Sequence, residues 1–140
     1  MAREQIQRRV EEWAKAIRDK DLEAVMSLYA PEIVSFDLDP PLRYAGTVEK
    51  RRAWREFFAA HAVVAAYELH ELDVTVSGDL AVVHSLNHAQ GTLAGGKVSD
   101  LWVRWTACFR QSAGSWRIVH DHVSVPAEVA QGRAALNLHP

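Results

Sequence analysis

From Tyr67 onward the chain alternates apolar and polar residues in four long runs, 67–76, 80–93, 98–111 and 116–125, separated by Gly78-Asp79, Gly95-Gly96 and Ala113-Gly114. Each separator has the chemistry of a two-residue hairpin turn. Long strands joined this way stack into an antiparallel sheet in chain order. The first half reads differently. Ile6, Val10, Trp13 and Ile17 recur at helical spacing. Asp21 is placed to N-cap a second helix carrying Leu22, Val25, Met26 and Tyr29, which Pro31 ends. Residues 33–36 make a short strand, and DLDPPLRYAG is a loop rich in breakers. Thr47 is set to cap a third helix whose apolar stripe is Trp54, Phe57, Phe58 and His61. Helices first and strands afterwards give an α+β fold.

Composition narrows the field of functions. A chain of 140 residues that is 49% hydrophobic and 24% charged is one globular domain, with a core needing no disulfide or metal. We place that domain at residues 1–126, followed by a tail at 127–140. A net charge of −2 without a basic stripe argues against nucleic acid. No run has the length and hydropathy of a membrane span, and the start carries no apolar signal region. The single cysteine, Cys108, forms no internal disulfide and fits a reducing cytoplasm.

If every turn has two residues, register follows, because directly opposed residues share a face. Asp121 then lies opposite Thr106, Val123 opposite Arg104, Ser85 opposite Thr106 and Asn87 opposite Arg104. One face carries Ser85, Asn87, Arg104, Thr106, Cys108, Asp121 and Val123. The other carries His84, Leu86, His88, Trp105, Phe109, His120 and His122. A buried carboxylate without a partner costs several kcal/mol, so Asp121 needs a neighbour, and this register supplies Arg104. A polar cluster among small apolar residues makes a ligand pocket. The face with Trp105, Phe109 and Leu86 is expected to meet a second subunit in a homodimer. The alternative exchanges the roles: Trp105 and Phe109 form the core, and Arg104 and Asp121 face solvent.

The segments RVEEWAKAIRDKDLEAVMSLYAPEIVSFD, YAGTVE, WVRWTACFR and GSWRIVHDHVSVP resemble the nuclear transport factor 2-like superfamily, in its SnoaL-like and ketosteroid-isomerase-like branch. That resemblance implies a cone: three helices on a strongly curved antiparallel sheet. It also implies a cofactor-free acid–base enzyme, an isomerase, cyclase or dehydratase for a small apolar carbonyl compound, or a non-catalytic binding or assembly domain. Position by position, Asp37 falls where ketosteroid isomerases keep their proton-shuttling aspartate. Trp13 and Thr106 fall at their two oxyanion donors. The association domain of calcium/calmodulin-dependent kinases, which ends in a similar strand, has its pocket arginines at Thr106 and Val123.

The candidate chemistry is therefore Asp37 as general base, with a pKa raised by the apolar cone, and Trp13 and Thr106 polarising the carbonyl. Ser85, Asn87, Arg104, Asp121 and Val123 orient the ligand. Asp37 is equally suited to capping the turn in SFDLDPP. His84, His88, His120 and His122 are expected as packed or interface residues rather than metal ligands, since the pair His120 and His122 lacks a third donor. Lys50, Arg51, Arg52 and Arg55 read as a solvated helix face.

Overall fold

The computed structural model describes all 140 residues. Helix α1 spans Ala2–Arg18, and its stripe of Ile6, Val10, Trp13 and Ile17 is buried. Burying such side chains contributes about 1.5–3 kcal/mol each, more than helix propensity supplies. Helix α2, Leu22–Met26, is capped as expected by the Asp21 side chain, which accepts from the Ala24 backbone N–H at 3.1 Å.

The chain then leaves the helix earlier than the sequence suggested. Strand β1 covers Tyr29–Phe36, so Tyr29 belongs to the sheet. Pro31 sits where the pairing of β1 is interrupted between Tyr29 and Val34, a place where its missing N–H costs no ladder bond. After the two-residue β2, Tyr44–Ala45, comes α3, Thr47–Ala60. Gly46 rather than Thr47 is its N-cap, and His61 opens the next strand instead of ending the helix.

Strands β3 (His61–Ser77), β4 (Leu80–Leu93), β5 (Val98–Ser112) and β6 (Ser115–Ser124) complete a six-stranded sheet ordered β2-β1-β6-β5-β4-β3. Only β1 and β6 are parallel. The architecture is α+β, a curved and mostly antiparallel sheet whose inner face is covered by the N-terminal helices. Register shifts in β3 help bend it. Gly91 lies beside one of them, where a Cβ would stand 2.3 Å from the Val63 carbonyl oxygen, so the two strands approach too closely for any side chain. In the C-terminal segment read as a tail, β7 (Ala127–Glu128) pairs with β8 (Arg133–Ala134). No helix is long and apolar enough to cross a membrane.

The sheet departs from the expected register at two points. Between β4 and β5 the loop has three residues, 94–96, because the Leu93 N–H donates to the Lys97 carbonyl and Thr92 opposes Val98. Gly96 takes φ +90°, the left-handed position that closes a three-residue hairpin loop. Ser85 is thus opposite Trp105, and Asn87 opposite Val103. Between β5 and β6 the turn is the expected Ala113-Gly114, but a bulge at Val119 shifts the pairing beyond it. Asp121 is therefore opposite Ala107, not Thr106, and Val123 is opposite Trp105, not Arg104. Across β4 and β6 the two shifts cancel, so Ser85, Asn87, Asp121 and Val123 keep the inner face. Across β5 nothing cancels. Arg104 and Thr106 are exposed on the outer face, while Trp105 and Phe109 lie in the core at 1% and 0% exposure.

Candidate functional site

Beneath the helices the inner face encloses a cavity of about 390 Å³, and 13 of its 19 lining residues are hydrophobic. Such a lining suits a mostly apolar ligand. Its aromatic wall starts with Trp13 of α1. That ring stacks on Trp105 at 4.7 Å and meets Trp54 and Tyr67 edge-on at 5.9 and 5.6 Å. Trp13 keeps its expected place on the cavity side. Its indole N–H is covered and makes no hydrogen bond of normal geometry.

The polar end of the cavity is built around Lys50. Only 1% of its side chain is exposed, so the expected solvated lysine is instead the most buried charge of α3. The helix dictates this, because Lys50 lies one turn before Trp54 and two before Phe58 on the stripe that faces the sheet. An ammonium has three donors, and three oxygens surround this one. Ser35 Oγ accepts at 2.9 Å and Asp37 Oδ2 at 3.2 Å, and Asp121 Oδ2 stands 3.6 Å away. Parallel pairing of Ser35 with Asp121 brings the oxygens from β1 and β6 together. Burial alone would lower the Lys50 pKa. Tyr29, whose ring lies 5.4 Å from Nζ, and the Asp121 and Asp37 carboxylates outweigh it and hold the ammonium above the ordinary lysine value.

Asp37, just past the end of β1, is 26% exposed at the cavity mouth. Its Oδ1 also accepts from the Leu38 backbone N–H at 2.7 Å, so the turn-capping and cavity-lining roles coincide. Asp121 is 1% exposed, and its Oδ1 has no hydrogen-bond partner. The cation beside it is Lys50; Arg104 donates to Ser124 Oγ on the opposite face at 3.0 Å. Thr106, likewise outside, does not reach the cavity. Val123 lines it.

Ser85 and Asn87 are buried under the wall rather than in it. The Ser85 hydroxyl donates to Asn87 Oδ1 at 2.6 Å, and Asn87 Nδ2 donates to the Tyr67 hydroxyl at 3.1 Å. This directional chain leaves the Tyr67 O–H free to donate. Burial pushes the Tyr67 phenol up to about 12, so it stays neutral at any ordinary pH. Burial likewise raises Tyr29, whose oxygen accepts from Trp54 Nε1 at 2.9 Å. Sequence reasoning missed Lys50 and Tyr67. The spacing of Lys50 to Trp54 and Phe58 was the available signal for the first.

Residues 6–128 match the SnoaL-like domain model, and the chain belongs to that family. Among solved structures it is similar to a protein of unknown function with the NTF2-like fold from Pseudomonas putida KT2440. The two share 28% identity over 99% of this chain and 96% of that one, with a TM-score of 0.87. A ketosteroid isomerase-like protein from Erwinia carotovora atroseptica SCRI1043 is 26% identical over 87% of this chain and 94% of that one, with a TM-score of 0.75. A protein described provisionally as a dehydratase, of the NTF2-like family from Streptomyces avermitilis, shares the fold at 20% identity over 86% of this chain and 93% of that one, with a TM-score of 0.76. No functionally curated protein matches the sequence significantly.

Proposed function

We propose that the cavity binds a small, largely apolar carbonyl compound and moves a proton on it by acid–base chemistry without a cofactor. The carrying observation is the Asp37–Lys50–Asp121 array, set at one end of an otherwise apolar chamber. In this reading Asp37, the one partly exposed carboxylate of the array, takes a proton from the carbon next to the carbonyl. The Lys50 ammonium and the Tyr67 O–H stabilise the charge that develops on the carbonyl oxygen, because fixed donors are worth more in a water-poor site. Trp13 and Val123 shape the chamber around the ligand, and Asp121 keeps Lys50 in place. Isomerisation, cyclisation and dehydration all begin with such a step. The isomerase- and dehydratase-like names among the similar structures support this reading.

A second reading is favoured by one observation: both Asp37 oxygens are already engaged, one by Lys50 and one by Leu38 N–H. A carboxylate so held suits a non-catalytic pocket. One experiment separates the two. A thermal-shift panel of steroid enones, polyketide-like ketones and small carboxylates selects a ligand. Deuterium exchange at its α-carbon is then followed by NMR. Asp37→Asn is expected to cut exchange by about a hundredfold or more while leaving affinity within a few-fold. Exchange no faster than in buffer with the wild-type protein decides for the binding domain.

We further propose a homodimer through the outer face. Trp105 and Phe109 do not contribute, being inside; Phe36 and Val82 form the exposed apolar part of that surface. His120 and His122 flank Phe36, with ring centroids 4.8 and 5.5 Å from it. Light scattering is expected to report a dimer, and a monomeric mass rejects this arrangement.

A further inference from the structure

We infer that Glu68, His70 and His88 form a binding site for a zinc ion on the outer side of the β3–β4 ladder, away from the cavity and independent of its proposed chemistry. Glu68 and His70 are two apart on β3 and so project from one face. His88 of β4 is directly opposite Glu68. This pairing places Glu68 Oε1 3.4 Å from His70 Nε2 and 3.4 Å from His88 Nδ1. All three donor atoms lie within 4.8 Å of one another. For bonds of about 2.0–2.1 Å, tetrahedral ligands stand about 3.3–3.4 Å apart, so two of the three edges already have the length zinc requires.

The surroundings of His88 strengthen the assignment. Its Nε2 lies 2.7 Å from Asp100 Oδ1, and the other Asp100 oxygen accepts from Gln90 Nε2 at 2.9 Å. As an acceptor, the Asp100 carboxylate calls for a proton on Nε2, which leaves the Nδ1 lone pair pointing toward Glu68. A carboxylate behind a ligating histidine fixes the tautomer in this way in metal sites generally. The ring is also locked in orientation, stacked on Trp102 at 4.2 Å with an interplanar angle of 7°. His70 packs on the same indole at 4.8 Å.

Two imidazoles with one carboxylate select zinc and its late first-row neighbours over calcium or magnesium. The Glu68 and His70 side chains are 55% and 44% exposed, so an ion can enter from solvent and keep water in the remaining position. His120 and His122 offer no such set. His120 Nδ1 is taken by the Val34 carbonyl at 2.7 Å, and no third donor joins them.

The test is calorimetric titration of the untagged full chain with zinc chloride, repeated on His70→Ala, His88→Ala and Asp100→Asn. One ion per chain is expected. Affinity should fall by more than about tenfold in each histidine variant, and by about 10–100-fold in Asp100→Asn with the stoichiometry kept. Should a variant fail to fold, NMR of the wild-type chain gives the same answer: zinc should shift the ring signals of His70 and His88. No binding, one ion shared by two chains, undiminished affinity in the folded histidine variants, or shifts confined to other histidines would overturn the assignment.

Discussion

Replacing Lys50 with methionine should destabilise the protein by about 3–5 kcal/mol, the cost of stranding a buried charge. Methionine fills most of the volume beside Trp54 and Tyr29, so the loss measures electrostatics rather than a void. The stranded charge is chiefly Asp121, which at 1% exposure has no water to turn to and no hydrogen bond on Oδ1. Asp37 is partly exposed and reaches solvent. It follows that Asp121→Asn in the Lys50→Met background should restore most of the stability, whereas Asp37→Asn should restore little. Urea denaturation of the three variants checks this, and a loss below about 1 kcal/mol would refute the argument.

The pH dependence has a definite sign. The Lys50 pKa is held above the value of about 10.4 for an unfolded lysine, so its contribution is fully present below that pH. It is lost only as pH rises through the folded value. Wild-type stability should therefore show no Lys50-linked decline between pH 7 and about 10.

The elements of this fold were legible because their signals are local. The α1 stripe, the Asp21 cap and the turns at Gly78-Asp79 and Ala113-Gly114 each depend on a few neighbouring residues, and each appears where expected. The faces of the sheet depend on register, which a single extra residue inverts. One such residue lies in the β4–β5 loop. The other is the bulge at Val119, where the alternation through Ile118, His120 and His122 gives no hint of a break. A better signal was present in β5 itself. Val103, Trp105, Ala107 and Phe109 share one side, while Arg104, Thr106 and Arg110 share the other. Binary pattern should have outweighed turn length. Asp121 still pointed to a buried cation. Finding that cation on α3 required knowing how a helix and a parallel strand pair meet, which lies beyond any local pattern.

That corrected register carries the second large prediction. Trp105 is 1% exposed, stacked on Trp13 and part of the cavity wall. Removing a buried indole costs about 3–5 kcal/mol, because the contacts are lost and the surroundings relax only in part. Trp105→Ala should fall in that range. Arg104→Ala, one residue away on the exposed face, should stay within about 0.5 kcal/mol, since it forfeits only a surface hydrogen bond to Ser124. The register of uniform two-residue turns reverses the order: Arg104 would be the buried partner of Asp121 and the costly residue to lose, and Trp105 would lie at the surface. Chemical denaturation of the two single variants thus decides which side of β5 faces the helices. Val103 and Trp105, which β5 contributes to the cavity wall, inherit their positions from that answer.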